Sequence, residues 1–127
     1  MSYLLDTHAV LWYYEDSPKL PESIAMIIED RMAMKYISVA TMWEFSIKQS
    51  LGKLDFIGGI TAFWEMAVAN GFILLPIIEP YLREMCSLPF LHRDPFDRLL
   101  IATAMVESMT ILTVDDNIHK YDVPWAW

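Results

Sequence analysis

The sequence predicts an α/β fold in which a short parallel β-sheet is flanked by helices, giving α/β/α layers. Strand-like and helix-like segments alternate along the chain, and the strand-like segments are apolar on both faces. This pattern is typical of a parallel sheet that helices cover on both sides. The chain has 127 residues, enough to bury a core, and no linker interrupts it. We therefore expect one domain spanning residues 1–127.

The first half of the chain alternates in this way from its start. Residues 2–5 read as a short strand that stops at Asp6, and residues 36–39 read as a second strand. Apolar residues at helical spacing predict three helices, over residues 21–31, 41–51 and 61–69. Gly52 and Asn70-Gly71 supply the expected helix ends.

The second half continues the alternation. The expected order is a strand over 72–76, helices over 79–87 and 95–108, a strand over 110–114 and a last strand over 123–125. The helix from residue 95 is the best defined, because Asp94 can cap it and Pro95 suits its first position.

Composition narrows the classes of protein that the chain can represent. Hydrophobic residues make up 55% of it, which excludes a disordered chain, and nine Met with five Trp indicate a partner surface and oligomerisation. Lys and Arg number 9 against 17 Asp and Glu, for a net charge of -8. Such a charge repels nucleic acid. Two explanations stay open: carboxylates that hold divalent cations, or a partner with a basic segment.

Cysteine content and hydropathy indicate where the protein works. The single Cys86 cannot form an internal disulfide framework, and the N-terminus lacks a secretory pattern. No apolar run approaches the roughly 20 residues that a membrane span needs. We therefore expect a cytoplasmic protein with no membrane association.

Four carboxylates are candidate catalytic and metal-binding groups. Asp6 and Asp115 each follow a predicted strand, and ligands of open parallel sheets bind beyond the carboxyl ends of the strands. Glu44 and Asp97 occupy early positions on helices that should begin at the same edge, and the helix of Asp97 already has Asp94 as its cap. Carboxylate oxygens are the ligands that Mg²⁺ prefers, so convergence of these groups predicts a metal site.

Each carboxylate also has a structural interpretation. Asp6 can be the N-cap of a following helix, and Asp115 can be a turn residue. Glu44 can complete a capping box that begins at Thr41, unless Ser38 is the N-cap, which would leave the Glu44 side chain free. We interpret Asp94 as mainly structural.

Basic side chains and histidines accompany the carboxylates. Arg93, Arg98 and Lys48 can either contact a substrate phosphate or pair with the neighbouring acids. His8 and His92 lack the grouping that a zinc site needs, so we expect them to pack at the edge of the site.

Four stretches are distinctive in their order and spacing. They are Leu4-Leu5-Asp6-Thr7-His8-Ala9, Ile37-Ser38 followed by Trp43-Glu44, Leu88-Pro89-Phe90-Leu91-His92-Arg93-Asp94-Pro95-Phe96-Asp97-Arg98, and Leu112-Thr113-Val114-Asp115. Together they resemble the PIN-domain ribonucleases of the VapC type over essentially the whole chain.

The resemblance implies a PIN fold and an endoribonuclease that uses one or two Mg²⁺ or Mn²⁺ ions to hydrolyse RNA. It implies a toxin homodimer that a small antitoxin inhibits by placing a basic segment in the site, and it leaves the RNA target open. Position by position, the acidic cluster is Asp6, Glu44, Asp97 and Asp115, with supporting hydroxyls at Thr7, Ser38 and Thr113.

Two other functions remain open at this point. A catalytically silent PIN-like protein could keep the fold and bind a partner or RNA. A receiver-like phosphoacceptor has a similar length and alternation, but it needs an acid pair after the first strand and a Lys after the last one, and both are missing.

Overall fold

The computed structural model describes all 127 residues and contains a single five-stranded parallel sheet. The strands are β1 (Ser2–Leu5), β2 (Met34–Ser38), β3 (Ile73–Leu75), β4 (Thr110–Leu112) and β5 (Trp125–Ala126). Their order across the sheet is β3-β2-β1-β4-β5, and every neighbouring pair is parallel. The predicted parallel α/β fold is confirmed.

Seven helices connect and cover these strands. They are α1 (Thr7–Tyr14), α2 (Glu22–Glu29), α3 (Val39–Ser50), α4 (Gly59–Ala69), α5 (Glu79–Ser87), α6 (Pro95–Glu107) and α7 (Asp116–His119). None of them is both long enough and apolar enough to cross a bilayer.

The sheet separates two apolar cores. Leu5 of β1 packs with residues of α1 to α4, whereas its neighbour Leu4 packs with residues of α6. Ile111 and Leu112 of β4 divide between the two cores in the same way. Successive residues of a strand point to opposite faces, so a strand buried on both sides is apolar throughout.

Most observed elements differ from the predicted ones by one to three residues at an end, and four differences have a clear local cause or consequence. Helix α3 begins at Val39, two residues before the predicted start, because the Ser38 side chain caps it. Helix α1 was predicted only through the N-cap interpretation of Asp6, helix α7 was not predicted, and each has an Asp as its N-cap. The last strand covers Trp125–Ala126 rather than residues 123–125.

Candidate active site

The four predicted carboxylates lie around one pocket at the carboxyl edge of the sheet. Asp6 follows β1 and Asp115 follows β4, which are adjacent strands, while α3 and α6 carry the other two acids. The residues that line this carboxylate pocket are Asp6, Thr7, His8, Thr41, Glu44, Lys48, Asp94, Phe96, Asp97, Leu100 and Asp115. The topology therefore brings together side chains that are up to 109 positions apart in the sequence (115 minus 6).

Asp6 is the most buried of the four carboxylates, with 8% of its surface exposed. Its Oδ1 accepts a hydrogen bond from the backbone N–H of Ala9 at 2.9 Å, which caps α1, and its Oδ2 accepts one from the Thr113 hydroxyl. Burial raises the pKa of Asp6, and the two donated hydrogen bonds oppose that rise. Asp6 thus serves as the cap that the structural interpretation expected, while its carboxylate also lines the pocket.

Thr113 connects the carboxylates that follow β1 and β4. Its hydroxyl donates to Asp6 and accepts from the backbone N–H of Asp115 at 3.1 Å. Asp115 in turn accepts from the N–H of Asn117 at 2.8 Å and caps α7. The fully buried Thr113 hydroxyl therefore fixes both the backbone of Asp115 and the side chain of Asp6.

The Glu44 side chain does not cap a helix. Its Oε1 accepts from the Thr7 hydroxyl at 2.8 Å, and its Oε2 lies 3.2 Å from the Lys48 ammonium. The N-cap of α3 is Ser38, whose hydroxyl accepts from the N–H of Ala40. The capping-box interpretation of Glu44 is therefore wrong, and the supporting hydroxyl of Ser38 acts as a cap rather than as part of the pocket lining.

Asp97 lies on the first turn of α6, beside a residue that caps the same helix. Asp94 accepts from the N–H groups of Phe96 and Asp97, at 2.9 and 3.2 Å, so its expected structural role agrees with the geometry. Burial, together with the negative charges of Asp94, Asp115, Glu44 and Asp6, raises the pKa of Asp97 to about 8. Asp6, Glu44 and Asp115 are thus close enough to Asp97 to oppose its ionisation.

His92 contacts Asp97, a partnership that the sequence did not predict. The Nε2 of His92 lies 3.1 Å from Asp97 Oδ2, and its Nδ1 lies 2.9 Å from the hydroxyl of Tyr121. Tyr121 is 29 residues further along the chain than His92, so no local sequence pattern signals the contact between these two residues. His8 is exposed at the pocket and packs on Trp12, as expected of a residue at the edge of the site.

The basic side chains occupy three different environments. Lys48 pairs with Glu44 in the pocket lining, and Arg93 is exposed on an adjoining groove. Arg98 is only 3% exposed, and its Nη1 donates to the carbonyl of Pro89 at 2.8 Å. The suggestion that Arg98 contacts a substrate phosphate is therefore wrong, because its guanidinium is directed into the protein.

The chemistry of the donors suits a hard divalent cation. No three His, Cys, Asp or Glu side chains are arranged as a ready metal-binding group in this structure. The carboxylates instead accept hydrogen bonds from the protein, and the pKa of Asp97 is raised first by its burial and then by the negative charges around it. A cation would remove that repulsion, and oxygen ligands alone match Mg²⁺ or Mn²⁺.

Comparison with known families agrees with this geometry. A PIN domain profile matches residues 3–124 of the chain. The chain belongs to the PIN domain family. PIN domains are generally nucleases, and PIN nucleases generally use divalent metal ions. Membership of this family excludes the receiver-like alternative. A search of the curated proteins gives no significant match to the sequence.

Solved toxin–antitoxin complexes contain chains of the same fold. A chain of the VapBC2 complex from Rickettsia felis, bound to a DNA fragment from its promoter, superposes with a TM-score of 0.74 at 12% identity, covering 99% of this PIN domain and 98% of that chain. VapBC-1 from nontypeable Haemophilus influenzae gives 0.66 at 18% identity, over 99% and 97%. FitAcB from Neisseria gonorrhoeae gives 0.61 at 21% identity, over 97% and 95%. These TM-scores establish a shared fold, and the predicted resemblance to PIN domains is confirmed.

Proposed function

We propose that this PIN domain is a divalent-metal-dependent endoribonuclease and the toxin of a toxin–antitoxin pair. The observation that carries the proposal is the convergence of four carboxylates, from two strand ends and two helices, on one pocket. The fold shared with chains of VapBC and FitAB complexes supports the toxin role.

Asp6 and Asp97 are the principal metal ligands in this proposal. Glu44 and Asp115 complete the ligand set, directly or through water, around one or two Mg²⁺ ions, with Mn²⁺ as a substitute. When bound, such an ion would activate a water molecule and stabilise negative charge on a phosphodiester.

The protein's own residues hold these ligands in place and supply positive charge. The Thr113 hydroxyl orients Asp6, and the Thr7 hydroxyl orients Glu44. Lys48 at the pocket and Arg93 on the adjoining groove are the cations available to RNA phosphates. Local contacts of this kind would offset the repulsion of RNA by the net charge of -8.

The proposed toxin is cytoplasmic, forms a homodimer and is inhibited by a small antitoxin with a basic segment. Large apolar side chains are exposed at Trp43, Phe90 and Leu91, at 61, 82 and 45%, and Trp43 packs on Phe96 of the pocket lining. Exposed apolar side chains of this kind are available to protein partners. A basic side chain from the antitoxin would neutralise the clustered carboxylates as a cation does.

An RNA cleavage assay that compares variants of two adjacent aspartates, Asp115 and Asp116, tests the enzymatic part of the proposal. Asp115→Asn removes a pocket carboxylate but keeps a side-chain oxygen that can still cap α7. Asp116→Asn changes its neighbour, whose side chain is fully exposed. We expect Asp115→Asn and Asp97→Asn to slow cleavage at least about 100-fold, because losing even an outer-sphere partner of a metal costs up to that amount.

The same assay addresses the catalytically silent alternative. Cleavage should require added Mg²⁺ or Mn²⁺, stop with a chelator and persist in Asp116→Asn. A wild-type protein that binds RNA or its partner, yet cleaves nothing with either ion, would establish a silent binding protein. Equal losses in Asp115→Asn and Asp116→Asn would contradict the assignment of the pocket as the site.

A further inference from the structure

Arg98 is a buried cation without a carboxylate partner. It is 3% exposed and forms no salt bridge. Its Nη1 donates to the Pro89 carbonyl at 2.8 Å and to the Tyr121 hydroxyl at 3.0 Å, the latter contact being buried. Burying a charge is costly unless its hydrogen bonds are satisfied. Hydrogen bonds to the loop before α6 and to Tyr121 therefore hold this guanidinium in place.

The hydrogen-bond direction beyond Arg98 follows from the chemistry of each group. An Arg side chain can only donate, so the Tyr121 oxygen is the acceptor. The hydroxyl hydrogen of Tyr121 is then free to point to Nδ1 of His92, at 2.9 Å. With Nδ1 as an acceptor, a neutral imidazole carries its hydrogen on Nε2. That hydrogen faces Asp97 Oδ2, which lies 3.1 Å from Nε2.

We propose that Arg98, Tyr121 and His92 form a directed hydrogen-bond network that orients the Asp97 carboxylate in the carboxylate pocket. His92 is the positioning residue, because its Nε2–H holds Oδ2 and leaves Oδ1 of Asp97 available to the pocket. Hydrogen bonds from outer partners to a ligating carboxylate are a recognised way to fix its orientation. The step from orientation to cation binding rests on the function proposed above, whereas the direction of the hydrogen bonds does not.

The network joins two adjoining segments to a third that is distant in the sequence. His92 belongs to the loop before α6, Arg98 to α6 itself, and Tyr121 to the segment that follows α7. Tyr121 is 4% exposed, so its ring is also part of the core. A change in the C-terminal segment would therefore reach the pocket through His92, without any contact between that segment and the substrate.

The first test determines which nitrogen of His92 carries hydrogen. In the metal-free full chain at mildly alkaline pH, ¹⁵N NMR of the imidazole should report a protonated Nε2 and an unprotonated Nδ1. Tyr121→Phe should weaken this preference and raise the share of the Nδ1–H tautomer, because only the contact with Asp97 would then favour hydrogen on Nε2. A hydrogen on Nδ1 of the wild-type chain would overturn the network, because Tyr121 would then have two donors directed at it.

The second test measures Mn²⁺ affinity by calorimetry, without any substrate. His92→Phe should weaken binding roughly 10- to 100-fold, as loss of an outer-sphere partner does. His92→Gln should restore most of it, because the Gln amide N–H can donate from nearly the same place as Nε2. A His92→Gln affinity as weak as that of His92→Phe would overturn the positioning role.

A second buried tyrosine provides the matched control for Tyr121. Tyr81 is 3% exposed, and its hydroxyl donates to Glu107, away from the pocket. Tyr121→Phe should weaken Mn²⁺ binding and Tyr81→Phe should not, although both remove one buried hydroxyl. Equal affinities in the two variants would overturn the positioning role alone. Failure of the wild-type chain to bind Mn²⁺ would instead overturn the proposed function.

Discussion

Asp6 and Asp115 each cap a helix with the same carboxylate that lines the pocket. Asp6 Oδ1 accepts from Ala9 N–H, and Asp115 Oδ1 accepts from Asn117 N–H. A carboxylate has two oxygens with several lone pairs, so a capping bond leaves acceptor capacity unused. The structural and functional interpretations of these residues are therefore compatible, which is why sequence patterns alone could not choose between them.

The raised pKa of Asp97 predicts how the metal-free protein responds to pH. Its folded pKa is about 8, against roughly 3.9 in an unfolded chain. The folded state therefore binds a proton more strongly, and the free energy of unfolding should fall as pH rises from about 4 to about 8. Asp97→Asn cannot ionise, so its stability should fall less over this interval.

Urea unfolding across this pH range, in a chelator, measures the difference between the two proteins. The Asp97→Asn protein should keep a smaller slope, because the pKa of Asp6 is also raised by burial. Parallel slopes for the wild type and Asp97→Asn would show that the fold does not oppose ionisation of Asp97. Added Mn²⁺ should reverse the loss of stability in the wild type, since a bound ligand stabilises the folded state.

Helix α6 shows which elements a sequence can define. Its start at Pro95 was predicted correctly and its end within one residue, because the cap at Asp94 and the Pro are local signals. The start of α3 was misplaced, because Ser38 and Thr41 are both good caps and only the sheet decides where β2 ends. The Asp-rich sequence at the start of the four-residue helix α7 is also typical of turns, so local patterns could not identify the helix.

In the candidate site, too, some features could be predicted from the sequence and others depend on how distant segments pack together. Its four acids could be predicted because parallel strand ends meet at one edge. The inward orientation of Arg98 could not, because an Arg beside acids reads as a surface residue. Helix α6 is instead buried continuously from Arg98 to Ala104. The contact between His92 and Tyr121 depends on how the C-terminal segment folds back, which no spacing in the sequence encodes.

At the scale of the whole molecule, the charge of -8 predicts how a partner competes with metal. A basic side chain placed among Asp6, Glu44, Asp97 and Asp115 would relieve the same repulsion that a cation relieves. We therefore expect the purified antitoxin to bind more weakly as Mg²⁺ increases, and more weakly to Asp6→Asn and Asp97→Asn. Binding that ignores both changes would place the antitoxin on another surface.

Binding of a divalent cation by the four carboxylates can be observed by anomalous diffraction from crystals grown with Mn²⁺. We predict an anomalous peak in the carboxylate pocket, in contact with Asp6 and Asp97, and no such peak in crystals of Asp97→Asn. A wild-type crystal saturated with Mn²⁺ that shows no peak in this pocket, or an equally strong peak in Asp97→Asn, would contradict the proposed cation site.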